Sequence, residues 1–125
     1  MKALSLTQPY AEIIRNGTKK IETRSWKTNY RGRIYIHATS GKPVKDPALM
    51  DLVKGKDLDY GKIICSANLV DCVEMTPEFI EEVKKNHDEY VAGIYEVGRY
   101  GWILEDVQPV EPFEIKGHLG LWEAK

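Results

Sequence analysis

The chain has 125 residues, of which 42% are hydrophobic and 30% are charged, and its formal net charge is −1. This length suits one folded domain over residues 1–125 and excludes two substantial ones, and the composition excludes intrinsic disorder. No apolar run reaches the length of a membrane span, and the first residues become polar too soon for a secretory signal. We therefore expect a cytoplasmic protein without membrane contact, whose oligomeric state the sequence leaves open.

Positive charge is concentrated in the first third of the chain. Residues 1–45 carry ten Lys or Arg and two acidic residues, and the remainder carries eight basic and seventeen acidic residues. Such asymmetry favours a surface with one positive side, which can orient a polyanion. Folding can equally intermix the two sets of charges and cancel the field, so both interpretations stay open.

The two cysteines, Cys65 and Cys72, are too few to complete a zinc site. They lie in one predicted strand, where their odd spacing points them to opposite faces. We expect two buried free thiols, no metal and no cofactor.

A short strand and a helix are predicted at the start of the chain. Residues 4–7 alternate between apolar and polar side chains, and Pro9 suits the first turn of a helix. Gly17 suits its end, because glycine accepts the left-handed backbone conformation of a C-terminal cap. The apolar residues between these two points have the spacing of one buried helix face, namely Tyr10, Ile13 and Ile14.

Residues 20–26 alternate with period two and predict a second strand. Strict alternation places Glu22, Arg24 and Trp26 on one face of this strand. The same alternation places Lys19 opposite Glu22. Because a glycine turn precedes Lys19, the backbone can still bring its side chain into the same cleft as Glu22.

The rest of the chain continues in short strands and helices. Further strands are predicted at residues 33–38, 62–73, 99–107 and 117–122, and helices near residues 47–54 and from residue 76. We expect the strand at 33–38 to pair in antiparallel fashion with the strand before it. Five or six short strands with two or three short helices indicate a mixed α+β, mainly β fold: a small, partly closed β-barrel.

Lys19, Glu22 and Arg24 are the candidate site residues. A surface strand does not need three such ionisable side chains grouped beside a glycine turn, so we expect them to line one polar cleft. Arg24 can hold the Glu22 carboxylate and leave Lys19 to meet a phosphate or a carbonyl oxygen. A carboxylate beside Lys19 raises the lysine pKa, which opposes a role as a base. The alternative is a structural Lys–Glu–Arg network that closes the barrel.

Several other side chains are candidates for ligand contacts. They are the aromatic residues Trp26, Tyr35 and Trp102, together with His37, Arg31 and Arg33. Aromatic rings can stack on nucleobases, although Trp102 fits core packing better. His37 can serve as an acid, a base or a donor to phosphate, although a lone histidine on a strand is more often structural.

Four segments of the chain match the motifs of one protein family. Residues 17–24, GTKKIETR, match its signature GxKxxExR. Residues 5–11, SLTQPYA, resemble its QPW/Y-A lead-in, and residues 98–102, GRYGW, resemble its GRYxW segment. Residues 116–122, KGHLGLW, resemble its closing KGxxGLW. In these four segments, which occur in the family's order over nearly the whole chain, the sequence resembles the ASCH domain family, small barrels related in fold to the PUA RNA-binding domain.

The resemblance implies a PUA-like barrel whose cleft beside the motif binds RNA or a modified nucleoside. The matching segments add Gln8 and Arg99 to the candidate site. The ligand-binding set is then Gln8, Lys19, Glu22, Arg24, Trp26, His37 and Arg99.

The resemblance also implies two alternative functions. One family branch is an amidohydrolase that removes the acetyl group of N4-acetylcytidine with a Lys, a Thr and a Glu. Lys19 matches that Lys, whereas Glu22 stands where the branch has its Thr. A small hydrolase of this kind, or a ribonuclease, would use Lys19 and Glu22 as catalytic residues. The second alternative is a protein-interaction module of the coactivator type.

Overall fold

The computed structural model describes residues 1–125 and contains six strands and four short helices. The strands are β1 (Lys2–Leu6), β2 (Ile21–Arg24), β3 (Gly32–Ala38), β4 (Lys62–Glu74), β5 (Tyr100–Glu114) and β6 (Leu121–Glu123). The helices are α1 (Tyr10–Arg15), α2 (Pro47–Asp51), α3 (Pro77–Lys84) and α4 (His87–Val91). The mixed α+β class and the strand number are confirmed. None of the four helices has the length and apolar character needed to cross a bilayer.

One helix more than the expected two or three is present. It is α4, which has five residues and begins where the Asn86 side chain accepts a hydrogen bond from the main-chain nitrogen of Glu89. Five residues are too few for a helical periodicity to show in the sequence.

All six strands form one curled sheet in the order β2-β5-β4-β3-β1-β6. Only the β1–β3 pair is parallel, and the other pairs are antiparallel. The two edge strands, β2 and β6, do not pair with each other, so the sheet is a half-barrel. This confirms the expected partly closed barrel.

The expected pairing of β3 with β2 is wrong, because β3 lies between β1 and β4 while β2 pairs with β5. The connection over residues 25–31 is longer than the usual hairpin loop. Trp26 lies in this connection, outside β2. The expectation that it shares a strand face with Glu22 and Arg24 is therefore wrong. The Trp26 ring packs edge-on against Trp102 of β5, with the two centroids 4.8 Å apart.

The interior of the half-barrel is filled by one large apolar cluster. Its members are Leu4, Leu6, Ala11, Ile14, Ile34, Ile36, Ala38, Ile64, Cys65, Ala67, Leu69, Cys72, Trp102 and Leu104. Both cysteines are buried free thiols, as expected, but they belong to the same cluster and not to opposite faces. Between Leu69 and Asp71 the β4 strand advances two residues while β5 advances one, which displaces the alternation.

Gly17 follows the end of α1 and turns the chain toward β2. Its φ is +88°, in the left-handed region that glycine tolerates best. Its main-chain nitrogen donates to Ile14 O, and two residues later Lys19 N donates to Ile13 O. The chain therefore folds back along α1 and delivers the Lys19 side chain beneath the start of β2.

The Gly17→Ala variant should lose about 1 kcal/mol of unfolding free energy, because a Cβ disfavours the left-handed conformation. Nothing lies within 4 Å of a Cβ built at this position, so the loss would come from the backbone alone. Urea unfolding measures it. Gly41→Ala, at a loop glycine without a positive φ, is the matched control and should change little. Equal stabilities of the two variants would contradict this account of Gly17.

Candidate functional site

The Lys19 ammonium is completely buried beside the first residue of β2 and the end of α4. Its Nζ donates to Ile21 O at 2.6 Å and to Ala92 O at 2.5 Å. The same atom lies 3.5 Å from Glu22 Oε1. The three N–H donors of the ammonium thus have three acceptors, which is the condition for burying such a charge.

Glu22 connects the buried lysine to Arg24. Its Oε2 accepts a hydrogen bond from Arg24 Nε at 2.9 Å, and Arg24 Nη2 donates to Ser5 O of β1 at 3.0 Å. The Arg24 side chain is 23% exposed. The structure therefore brings together the three predicted residues, in a row that runs from the interior to the surface.

Burial lowers the pKa of the Lys19 ammonium, against the opposing effects of the Glu22 and Glu89 carboxylates. The expectation that the carboxylate at position 22 raises the pKa of Lys19 is therefore wrong in direction, because the effect of burial is larger. Glu89 of α4 is itself buried and accepts hydrogen bonds from the main-chain nitrogens of Lys20 and Ile21. Burial raises the pKa of Glu89.

Two neighbouring clefts share Ser5 and Arg24. The larger cleft has a volume of about 840 Å³ and is lined, among others, by His37, Thr39, Ser40, Lys116 and His118. The smaller cleft has a volume of about 400 Å³ and is lined, among others, by Tyr10, Glu22, Thr23, Val44 and Ile94. Glu22 and Arg24 therefore reach a cleft, whereas the Lys19 side chain lies behind them.

His37 lies beside the larger cleft in a row of hydrogen bonds. Its Nε2 donates to Ile115 O at 2.8 Å, so in the neutral ring Nδ1 accepts from Ser5 Oγ at 3.0 Å. Trp122 Nε1 donates to the same Ser5 Oγ at 3.0 Å. The row ties β1, β3 and β6 to the segment that precedes β6. Burial lowers the pKa of His37, which favours this neutral form.

Gln8 and Arg99, two predicted ligand-binding residues, line neither cleft but form hydrogen bonds with Val44 and Ile94, which line the smaller one. The buried Gln8 accepts a hydrogen bond from Glu12 N through Oε1 and donates to Asp59 O through Nε2. It therefore holds the first turn of α1. Arg99 Nε donates to Ile94 O in a loop whose Ile94 lines the smaller cleft.

The candidate aromatic residues lie away from both clefts. Trp102 is completely buried in the core, and its Nε1 donates to Trp26 O at 3.3 Å. Tyr35 packs edge-on against Phe113, with the ring centroids 5.8 Å apart. None of the three predicted stacking residues lines either of these two clefts.

Sequence reasoning missed several residues of the site. Lys116 and His118 line the larger cleft. Their position in the KGHLGLW segment is the sequence signal that could have identified them. Ser5 lies in the matching segment at residues 5–11. Glu89 carried no such signal, because its hydrogen-bond partners are distant in sequence. No group of three or more His, Cys, Asp or Glu side chains converges as a metal site would require.

The Lys19→Met variant should lose about 3 to 5 kcal/mol of unfolding free energy, because it leaves Glu22 Oε1 and two main-chain oxygens without the ammonium as their partner. Methionine keeps most of the side-chain volume. The free energy is measured by urea unfolding. Lys27→Met, at an exposed lysine, is the control and should change stability by less than about 0.5 kcal/mol. A loss at Lys19 as small as that of the control would contradict the structural role assigned to its ammonium.

Stability should fall with acidification in a way that depends on His37. Because burial lowers the pKa of His37 in the folded state, the unfolded chain binds a proton at a higher pH than the folded chain does. The contribution is therefore fully present above the unfolded pKa of about 6.5 and declines as the pH falls below it. Urea unfolding at about pH 7 and pH 5 should show a smaller loss for His37→Gln than for the wild type. The same substitution at the exposed His87 is the control, and identical pH dependence in all three proteins would refute the assignment.

The chain matches one protein family and two curated proteins. The family model of the ASCH domain matches residues 4–114. Activating signal cointegrator 1 of Homo sapiens is 30% identical over 128 residues, which cover 96% of this chain and 22% of that protein, and the Mus musculus protein gives the same values. The chain thus spans about a fifth of the length of these curated relatives.

Solved structures of ASCH from Zymomonas mobilis share the fold. The crystal structure of that protein gives a TM-score of 0.64 at 18% identity, covering 99% of this chain and 87% of the other. Its S128A mutant gives a TM-score of 0.62 with the same identity and coverage. The common architecture shows the shared fold. The family match over residues 4–114 shows that the chain belongs to the ASCH domain family.

Proposed function

We propose that this domain binds single-stranded RNA or a modified nucleoside in the two clefts that share Arg24. The observation that carries the proposal is the placement of this guanidinium. Its hydrogen bonds to Glu22 and to Ser5 O use two of its five N–H donors. The remaining donors are available to a ligand at the junction of the clefts, where a phosphate is the natural acceptor for a planar, permanently charged group.

The lining of the larger cleft suits a sugar–phosphate backbone. Arg24 and Lys116 supply positive charge, and the hydroxyls of Thr39 and Ser40 supply further donors. Glu114 is an acidic residue of the same lining, so the charge is mixed. Hydrogen bonds to phosphate and sugar from such side chains position a nucleic acid without reading its sequence. The relation of the ASCH fold to the PUA RNA-binding domain supports the same ligand class.

A small hydrolase that uses Lys19 and Glu22 is the second candidate function. It is favoured by the lowered pKa of Lys19, the direction that a base or an amine nucleophile requires. However, the Lys19 ammonium is engaged with Ile21 O and Ala92 O and does not line either cleft. We therefore assign Lys19 the role of a positioning residue for Glu22. An interaction module of the coactivator type rests only on the name of the relative activating signal cointegrator 1.

The Arg24→Ala variant should bind a short single-stranded RNA at least about tenfold more weakly, because one charge-assisted contact is worth about 1.5 to 3 kcal/mol. Fluorescence polarisation with a labelled octanucleotide measures the affinity at two salt concentrations. The slope of log affinity against log salt should also fall by about 1, since one phosphate contact is lost.

Arg33→Ala is the matched control for this experiment. Arg33 was a candidate for ligand contacts, but its Nη2 pairs with Asp106 Oδ2 at 2.5 Å and it lines neither cleft. Its removal should leave RNA affinity within about twofold of the wild type, an effect below 0.5 kcal/mol. Absence of RNA binding by the wild type, or equal losses in the two variants, would refute the proposal.

A further inference from the structure

The smaller cleft combines apolar side chains with several polar groups, and two of these, the Glu22 carboxylate and the Tyr10 hydroxyl, are the basis of this inference. Val44 and Ile94 are large apolar residues of its lining, and they are 39% and 52% exposed. Its volume of about 400 Å³ lies within the usual range of small-molecule sites. Leu6 and Tyr10 complete its apolar part, and its polar residues are Ser5, Thr7, Glu22, Thr23 and Arg24. Apolar side chains combined with a few fixed polar groups are typical of a small-molecule site. A phosphate that enters this cleft beside Arg24 would also meet the Glu22 carboxylate, which repels it, whereas a neutral heterocycle meets no such repulsion.

The first polar group is the Glu22 carboxylate, which is fixed before any ligand arrives. Its Oε2 accepts from Arg24 Nε, and its Oε1 lies 3.5 Å from Lys19 Nζ. A carboxylate offers about four lone-pair sites, so roughly half of its accepting capacity remains. Held between two cations, it can accept further hydrogen bonds but has none to donate.

The second polar group is the Tyr10 hydroxyl. Tyr10 lines the same cleft, and no hydrogen bond within the protein involves its hydroxyl group. Burial and the nearby Glu22 carboxylate raise the pKa of Tyr10, so the hydroxyl keeps its proton and can donate. The cleft therefore presents a fixed acceptor and a free donor to one ligand.

We infer that the smaller cleft is a base subsite that selects nucleobases with an exocyclic amino group over their keto counterparts, with Glu22 accepting from the amino group. Cytosine and adenine present an N–H₂ donor where uracil and hypoxanthine present a carbonyl oxygen, and a carboxylate attracts the first and repels the second. The Tyr10 hydroxyl can meet an adjacent acceptor of the same base. This inference rests on the proposed function, since the base must enter as part of a bound nucleotide or nucleoside.

The test compares isosteric pairs of labelled hexanucleotides by fluorescence polarisation: cytidine against uridine, and adenosine against inosine. The wild type should bind the amino member of at least one pair about tenfold more tightly, in line with the discrimination of one hydrogen-bonded base contact. In Glu22→Gln, whose amide can donate as well as accept, this ratio should fall to about one. A ratio near one in the wild type, or a ratio that Glu22→Gln leaves unchanged, would overturn the inference.

A ligand-side comparison keeps the test decisive if Glu22→Gln does not fold. A hexanucleotide of 2-pyrimidinone, which carries only hydrogen in place of the amino group of cytosine, should bind the wild type with an affinity between those of cytidine and uridine. Affinities equal to that of cytidine would overturn the role of the amino group. RNA binding that depends on Arg24 but ignores the base would refute this subsite and leave the proposed function standing. Failure of every oligonucleotide to bind would refute both.

Discussion

The burial of the Lys19 ammonium is the constraint on which the site depends. An ammonium without water is tolerated only when each of its donors has an acceptor. Ile21 O at the start of β2 and Ala92 O after α4 supply two of these acceptors, and Glu22 is the third partner. The lysine therefore fixes the positions of β2 and the end of α4 relative to each other, and it fixes Glu22 at the edge of the smaller cleft.

A preorganised ligand site follows from this arrangement. Glu22 holds Arg24, and Arg24 also donates to Ser5 O, so the guanidinium is immobilised where the two clefts meet. The row of hydrogen bonds through Ser5 and His37 holds the other side of the larger cleft in the same way. Gly117 packs against this row so closely that a Cβ would lie 2.6 Å from His37 Cε1. Groups ordered before binding reduce the entropic cost of binding.

The sequence predicted the family and the half-barrel because its motif segments mark local backbone events, such as the positive φ of Gly17. It also predicted that the three charged residues of the motif line one cleft; they contact one another in the structure, but only Glu22 and Arg24 line a cleft. It could not predict the depth of Lys19, because two of its acceptors are main-chain oxygens, which leave no trace in residue type. The pairing of β2 with β5 and the common core of Cys65 and Cys72 were missed for a related reason. Long-range register and strand irregularities are set by tertiary packing.

The central claim, that the clefts around Arg24 are the ligand site, is tested most directly by titrating the ¹⁵N-labelled domain with a short single-stranded RNA and following main-chain amide shifts. The account predicts that the largest shifts occur at residues that line the clefts, such as Ser5, Thr23, Arg24 and Gly117. Lys84 of α3, which lines neither cleft, should change little. Shifts confined to α3 or to other surfaces away from the clefts, or no shifts at saturating RNA, would contradict it.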